Sequence, residues 1–406
     1  MLAALGNGVT GGKWYSLMDK VSRVEVLEAA WERVAANHGA AGVDRQSVEA
    51  FAAHRERYLA ELSEALAAGR YVAQPVRRTY IPKRSGGQRP LGIPTVKDRV
   101  VQGALKLVLE PIFEREFVAG SYGFRPGRGC KDALRDVEGL LKAGHVWVVD
   151  ADIRSYFEAI PKDALLGRVG EKVSDGRVLS LVEGFLNQDI LEGLERWTPL
   201  SGTPQGAVLS PLLANVYLHP LDRAMSEAGH RMVRYADDFV VLCRSEAEAQ
   251  AALERLRRWV EANGLALHPD KTHVGHCLER GQGFDFLGYR FEAGRRYVRT
   301  CSRRALKERV RQLTRRSGGQ SLERVITGLN PLLRGWFAYF KHAHRTEFSA
   351  LDGFIRRRLR ALLRKQAKRP GAGHCAADHR RWPNAFFAEH GLFTLLTAHA
   401  LARQSR

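Results

Sequence analysis

The sequence predicts an α+β chain of two or three domains, with β-hairpins and amphipathic helices alternating in front and a basic helical part behind. Three observations predict it. Apolar flanks, Met232-Val233 and Val240-Val241-Leu242, enclose Ala236-Asp237-Asp238 and read as a hairpin with acids at its crest. The run Val146-Trp147-Val148-Val149-Asp150-Ala151-Asp152-Ile153 is a second strand that ends in acids. From Arg295 onward the apolar period becomes helical and arginine-rich. At 406 residues and 45% apolar content the chain is long enough to bury real cores.

Taken in order, Ser22-x-x-Glu25 reads as a capping box for a helix carrying Val26, Leu27, Ala30, Trp31 and Val34 on one face. A second helix, Tyr58 to Leu66, stops at Gly69. Arg77 to Lys83 and Arg89 to Pro94 read as strands around the turn Ser85-Gly86-Gly87-Gln88. Asp98 to Phe117 is helical, with Pro111 expected to break or restart it. The stretch Ser121 to Gly129 is too glycine-rich for a regular element, and its interleaved aromatic and Arg residues suit contact with a template strand. Asp163 to Val169 and Arg177 to Leu186 are short helices, and Ser210 to Leu218 opens another with Pro in its first turn. Ser245-x-x-Glu248 caps a helix that Asn263-Gly264 ends. Phe284 to Phe291 alternates as one strand.

Between Leu351 and Pro370, Arg356, Arg357, Arg358, Arg360, Arg364, Lys365, Lys368 and Arg369 stand against the single acid Asp352. Ile355, Leu359, Leu362 and Leu363 share one face, which turns the cations onto the others and suits a nucleic-acid backbone. Gly371-Ala372-Gly373 reads as a hinge, and the aromatic tail from Trp382 carries enough bulk to pack back.

A net charge of +20, from 64 Lys and Arg against 44 Asp and Glu, implies a polyanionic partner. The five cysteines are scattered, with no Cys-x-x-Cys pair, which fits reduced thiols in a cytosolic protein. Met1 to Leu5 is too short for a signal segment and no run approaches a membrane span, so a soluble cytoplasmic protein without membrane contact is expected.

Two acids on a turn are common in plain hairpins, because Asp tolerates turn geometry. The third acid, Asp152, changes the balance: two strands delivering carboxylates to one place suit Mg²⁺, which takes one or two carboxylates plus substrate phosphates. Asp152 with Asp237 suits two ions arranged for in-line phosphoryl displacement. Lys83 and Arg89 near the ends of the first hairpin suit a triphosphate, although solvated charge is the commoner meaning of such residues taken alone.

Tyr80-Ile81-Pro82-Lys83, Arg89-Pro90-Leu91-Gly92-Ile93-Pro94, Ser121-Tyr122-Gly123-Phe124-Arg125-Pro126, Asp152-Ile153, Thr203-Pro204-Gln205-Gly206, Tyr235-Ala236-Asp237-Asp238, Pro269-Asp270-Lys271-Thr272 and Phe286-Leu287-Gly288 stand in one order. Together they resemble the successive blocks of a bacterial group II intron reverse transcriptase of the maturase-bearing kind. Gly335-Trp336-Phe337-Ala338-Tyr339-Phe340 is similar to the signature of that family's maturase, or thumb, domain. The resemblance implies a right-hand polymerase fold: a helical extension of the fingers over 1–75, fingers and palm with an antiparallel sheet over 76–293, an α-helical thumb over 294–370 and a tail over 371–406. It implies an RNA-directed DNA polymerase using two Mg²⁺ ions, deoxynucleotides, an RNA template and a DNA primer. It also implies a structured intron RNA as a splicing partner.

Residue by residue, the resemblance makes Asp152, Asp237 and Asp238 the metal site, with the backbone carbonyl of Ile153 completing one shell. Lys83 and Arg89 hold the incoming triphosphate, and Gln205 supports the nucleotide. Phe157 occupies the steric-gate position that crowds a ribose 2′-OH, a use compatible with a core aromatic. Lys271 resembles a lysine proposed to protonate the leaving pyrophosphate, worth typically about 10²–10⁴-fold. Phe286, Leu287 and Gly288 position the primer end, and Arg125 lies in the block expected to meet the template. Glu158 stands where the family more often has Asp. A carboxy-terminal endonuclease module is not expected, because His374, Cys375 and His379 lack the paired Cys and His spacing of a metal nuclease. A splicing maturase with incidental polymerisation, and a free-standing enzyme recruited to DNA repair or phage defence, fit the same residues.

Overall fold

The structure is a computed structural model that describes residues 12–82, 87–369, 371, 373 and 375–404. Lys83, His374, Ala372 and the first five residues, on which sequence readings rest, lie outside the described residues. The chain divides into two compact units, Met1–Gly275 and His276–Arg406. The architecture is α+β.

In the first unit, α1 (Met18–Val21), α2 (Val24–Ala36), α3 (Val48–Ala52) and α4 (Arg55–Ala67) precede the hairpin β1 (Val76–Pro82) and β2 (Gln88–Ile93). Ser22 does not form the expected capping box: Arg23 is the N-cap of α2 and makes no side-chain cap bond. Ser22 instead ends α1, and its carbonyl accepts a hydrogen bond from Ser63 at 2.6 Å. Its backbone is already committed to the preceding turn.

Helix α5 (Val96–Glu114) follows, capped by the Thr95 side chain. Pro111 neither breaks nor restarts it. The missing N–H and ring clash cost about 3 kcal/mol. Ile112 and Phe113, immediately after it, are both buried. Burial contributes roughly 1.5–3 kcal/mol for each such side chain, enough to offset that cost. Gly103 lets α2 lie against α5, since a Cβ there would stand 3.0 Å from the Ala30 methyl.

Next come α6 (Cys130–Lys142), β3 (Trp147–Asp152), α7 (Tyr156–Ala159), α8 (Lys162–Gly170) and α9 (Gly176–Leu186). Asp175 caps α9 through the amides of Arg177 and Val178, and its other oxygen takes those of Leu17 and Met18. The short β4 (Ile190–Glu192) and β5 (Glu195–Trp197) lead to α10 (Ser210–Glu227), β6 (Arg231–Tyr235), β7 (Asp238–Cys243) and α11 (Glu246–Ala262). Ser245 caps α11 as expected, and Asn263 ends it. A further strand, β8 (His273–His276), completes the sheet β6-β7-β3-β8, while β2-β1-β4-β5 forms a second sheet. Val149, Ala151, Phe239 and Val241 place the inner face of the first sheet in the core with α10 and α11.

In the second unit, the expected single strand Phe284 to Phe291 is two. β9 (Phe284–Phe286) and β10 (Tyr289–Glu292) pair antiparallel about Leu287-Gly288, with φ of 47° and 83°. Two positive φ values in a two-residue loop make the turn whose twist suits a hairpin. The pattern keeps its period of two through the turn, which hides it. β11 (Arg295–Val298) completes this sheet.

Helices α12 (Thr300–Leu313), α13 (Leu322–Phe340) and α14 (Arg345–Gln366) follow, then α15 (Ala376–Arg381), α16 (Asn384–Glu389) and α17 (Leu395–Gln404). The tail packs back as expected: Phe387 and Leu395 are buried, and Asp352 accepts the amides of Leu395 and Leu396 at the start of α17. Not every arginine of α14 faces outward. Arg360 is buried and donates to the Trp382 carbonyl and Asn384; Arg358 binds Thr314; Arg364 binds Asp378. Arg357, Lys365, Lys368 and Arg369 remain exposed.

Candidate active site

The hairpin β6–β7 brings two of the acids to its tip, because Tyr235 pairs with Asp238 and leaves Ala236-Asp237 as the loop. Ala236 sits at φ 59°, in the left-handed region, which costs an L-residue about 1–2 kcal/mol. The surroundings over-determine it. Arg234, fully buried, donates to the Ala236 carbonyl at 2.8 Å, to Asn215 at 2.8 Å, to Ser121 at 2.8 Å and to both oxygens of buried Asp222. From outside, Gly123 approaches so closely that a Cβ would fall 2.2 Å from the Ala236 nitrogen. The Arg234 backbone bonds Gly120 and Tyr122, so the glycine-rich stretch is moulded onto the hairpin.

β3 supplies the third acid. It runs antiparallel to β7 with Asp152 directly opposite Asp238. Directly opposed residues of such a pair project from one face with Cβ atoms about 4.5–5.5 Å apart, and like charges there repel. Burial pushes the Asp237 carboxyl above its ordinary value. The charge of Asp152 adds to this, while Asp237's own backbone N–H, Arg89 and Arg234 pull the other way. A carboxyl raised by burial, with a neighbouring carboxylate adding to it, is a setting in which a bound cation would favour the charged form. Among the described residues, no three His, Cys, Asp or Glu side chains close on one point as a ready-made cage. Mg²⁺ held by one or two carboxylates and substrate phosphates requires none.

Ile153 follows in a bridge to Leu267. The flanking bonds, Arg154 N–H to the Ala266 carbonyl and His268 N–H to the Asp152 carbonyl, leave the Ile153 carbonyl out of the pairing. The same segment turns through Pro269–Lys271, and the Lys271 ammonium reaches Asp152 Oδ2 at 2.5 Å. Lys271 is thus paired with one of the three acids, Asp152.

On the other sheet, Arg89 Nε donates to Gln205 Oε1 at 2.6 Å, and its charge reaches Asp237. Gln205 Nε2 donates in turn to Glu158. The Gln205 loop is tied to α7, since Thr203 N–H meets the Phe157 carbonyl at 2.8 Å. Phe157 is buried edge-on against Tyr156. A cavity of about 210 Å³ opens on the Glu158 and Gln205 side of this loop, bounded by Gly92, Thr203 and Pro204 rather than by the acids.

Arg125, from the block expected to meet the template, is turned inward. Its guanidinium is buried, paired with Glu114 and donating to the carbonyls of Val118 and Ser121, so no donor is left facing outward. Phe124 beside it is exposed. Phe286, Leu287 and Gly288 belong to the second unit, where Tyr339 OH holds the Leu287 carbonyl and Arg299 N–H that of Gly288. Sequence reasoning passed over Arg234, Asp222 and Glu158. The first heads the Tyr-Ala-Asp-Asp run and the last adjoins Phe157, but their partners lie 12 and 47 positions away.

Comparison with known proteins follows the same residues. Positions 81–291, just over half the chain, match the family described as reverse transcriptase (RNA-dependent DNA polymerase), and 303–382 match the group II intron maturase-specific domain. Protein YkfC of Escherichia coli (strain K12) is 34% identical over 269 residues, 56% of this chain and 70% of that one. Group II intron-encoded protein LtrA of Lactococcus lactis subsp. cremoris is 38% identical over 204 residues, half of this chain but only 33% of LtrA. Among solved structures, telomerase from Candida albicans in complex with a telomeric RNA fragment aligns over 78% of this chain and 64% of that one, at a TM-score of 0.45 and 13% identity.

Proposed function

Because the chain belongs to the reverse transcriptase family and carries a group II intron maturase-specific domain behind the polymerase region, we propose that it extends a DNA primer on an RNA template and binds structured intron RNA to assist splicing and mobility. The observation that carries the polymerase reading is the placement of Asp152 opposite Asp238, with Asp237 on the adjoining turn.

Asp152 and Asp237, with Asp238 beside them and the Ile153 carbonyl, would hold two Mg²⁺ ions. Bound there, the ions stabilise the attacking and leaving oxygens of an in-line displacement. The chain's own side chains do the rest. Arg89 grips the triphosphate bidentately, with Lys83 as a point charge. Gln205 steadies Arg89, and Phe157 crowds the position a ribose 2′-OH would take. Lys271, held at Asp152, would give a proton to the departing pyrophosphate. Phe286, Leu287 and Gly288 guide the primer end, Gly288 allowing a close backbone approach.

The division into a fingers extension (1–75), fingers and palm (76–293), thumb (294–370) and tail (371–406) belongs to the same reading. RNA recognition by the second unit would rest on backbone, shape and 2′-OH contacts. The exposed cations Arg357, Lys365, Lys368 and Arg369 support it. The same reading puts its action in the cytoplasm; among the described residues no helix is long and apolar enough to cross a membrane. Incubating the protein with Mg²⁺, deoxynucleotides and a DNA primer annealed to RNA tests the proposal. Templated extension is expected, and failure on several RNA templates would overturn it.

A further inference from the structure

We infer that Glu158 is a positioning residue for the incoming nucleotide: acting through Gln205, it holds the Arg89 guanidinium ready for the triphosphate. This rests on the polymerase reading above.

A glutamine side chain has one accepting and one donating end of nearly equal shape, so its neighbours decide which way it points. Here both neighbours agree. Arg89 Nε can only donate, and it meets Gln205 Oε1 at 2.6 Å. An ionised Glu158 carboxylate can only accept, and it takes Gln205 Nε2. The chain Glu158–Gln205–Arg89 therefore has one satisfied sense, and both of its end bonds are charge-assisted.

The backbone around it is fixed independently of these side chains. The Gln205 carbonyl accepts Gly92 N–H at 2.7 Å, tying the loop to β2, the strand that carries Arg89. At the other end Ser201 Oγ donates to the Glu158 carbonyl at 2.8 Å, and a Cβ at Gly202 would stand 2.7 Å from Glu158 Cα. The remaining freedom is the amide's orientation, and the Glu158 carboxylate sets it. Aspartate at this position would fall one methylene short of Gln205.

Glu158→Gln replaces an acceptor with a group that accepts or donates, so the Gln205 amide is released to turn its NH₂ toward Arg89. Arg89 then loses its hold, and the cost of ordering it passes to nucleotide binding.

Single-nucleotide incorporation on an RNA template tests this, with Glu158→Gln, Glu158→Asp, Gln205→Leu and the double variant Glu158→Gln/Gln205→Leu. Losing one charge-assisted bond should raise the deoxynucleotide KM about tenfold in Glu158→Gln, with kcat changed less than about twofold. Glu158→Asp should behave as Glu158→Gln does. In the Gln205→Leu background Glu158→Gln should add nothing, because coupled residues are not additive. An unchanged KM in Glu158→Gln overturns the inference. So does an equal rise in the Gln205→Leu background, which would make the effect one of bare charge, or a fall in kcat alone, which would make it structural loosening. Wild-type protein without extension would overturn the polymerase reading instead, an outcome separable from all of these.

Discussion

Removing the buried cation beneath the acidic turn should unfold the first unit early. In Arg234→Met the Asp222 carboxylate keeps its place, buried, without its partner. Breaking a buried ion pair by deleting one member costs about 3–5 kcal/mol, because the remaining charge is uncompensated. The Ala236 carbonyl, Asn215 and Ser121 lose their bonds to the same guanidinium, which keeps the expected cost at the upper end. For a unit of this size a loss of about 5 kcal/mol lowers Tm by roughly 10–20 °C. Circular dichroism melts of wild type, Arg234→Met and Arg234→Met/Asp222→Leu measure it. The double variant removes both charges and should recover most of the stability, since replacing a whole buried pair with apolar groups is often near neutral. Its primer extension should stay low, because nothing then holds the Ala236 carbonyl and the turn that carries Asp237. A Tm drop below about 3 °C in Arg234→Met, or full extension by the double variant, would refute the reasoning.

Other perturbations bear on the rest of the molecule. Burial works against the Asp175 charge, yet the amides of Leu17, Met18, Val178 and Arg177 outweigh it and hold its carboxyl below the ordinary value. A depressed acid gives stability that is full above its unfolded-state value and lost as pH falls through the folded one. Asp175→Asn should therefore cost about 1–2 kcal/mol at pH 7 in urea melts, and the gap from wild type should narrow below the usual carboxylate range near pH 4. Arg125→Ala should lower Tm by several degrees, as loss of a buried ion-pair partner does, while primer–template affinity by fluorescence anisotropy stays unchanged. If the exposed cations at and just beyond the end of α14 meet RNA phosphates, Lys365→Gln/Lys368→Gln should reduce the slope of log affinity against log salt by about 1.4–1.8. An unchanged slope would remove these two from the interface.

Much of the site was legible because its chemistry is written locally. Two apolar runs around Ala236-Asp237-Asp238 specify a hairpin, and a β-branched run ending at Asp152 specifies its neighbour, so register alone brings the acids together. The Gln205 loop and the Lys271 turn were legible for the same reason. What escaped depended on tertiary context. Ser22 and Pro111 carry strong local signals that packing overrode. Phe284 to Phe291 hid a turn because alternation continued through it. Arg125 read as a residue of the template-contacting block, but its partner Glu114 lies at the end of the preceding helix. Glu158 looked like a neutral departure from a family pattern, and its contact with Gln205 appears only once the loop folds over α7.

If Asp152, Asp237 and Asp238 form a nucleotidyl-transfer centre, Asp237→Ala should abolish synthesis without abolishing RNA binding. Primer extension on RNA with Mg²⁺, run beside RNA binding on the same preparation, should show wild-type synthesis, no synthesis by Asp237→Ala, and RNA affinity largely retained by the variant. Extension by Asp237→Ala at the wild-type rate would contradict it.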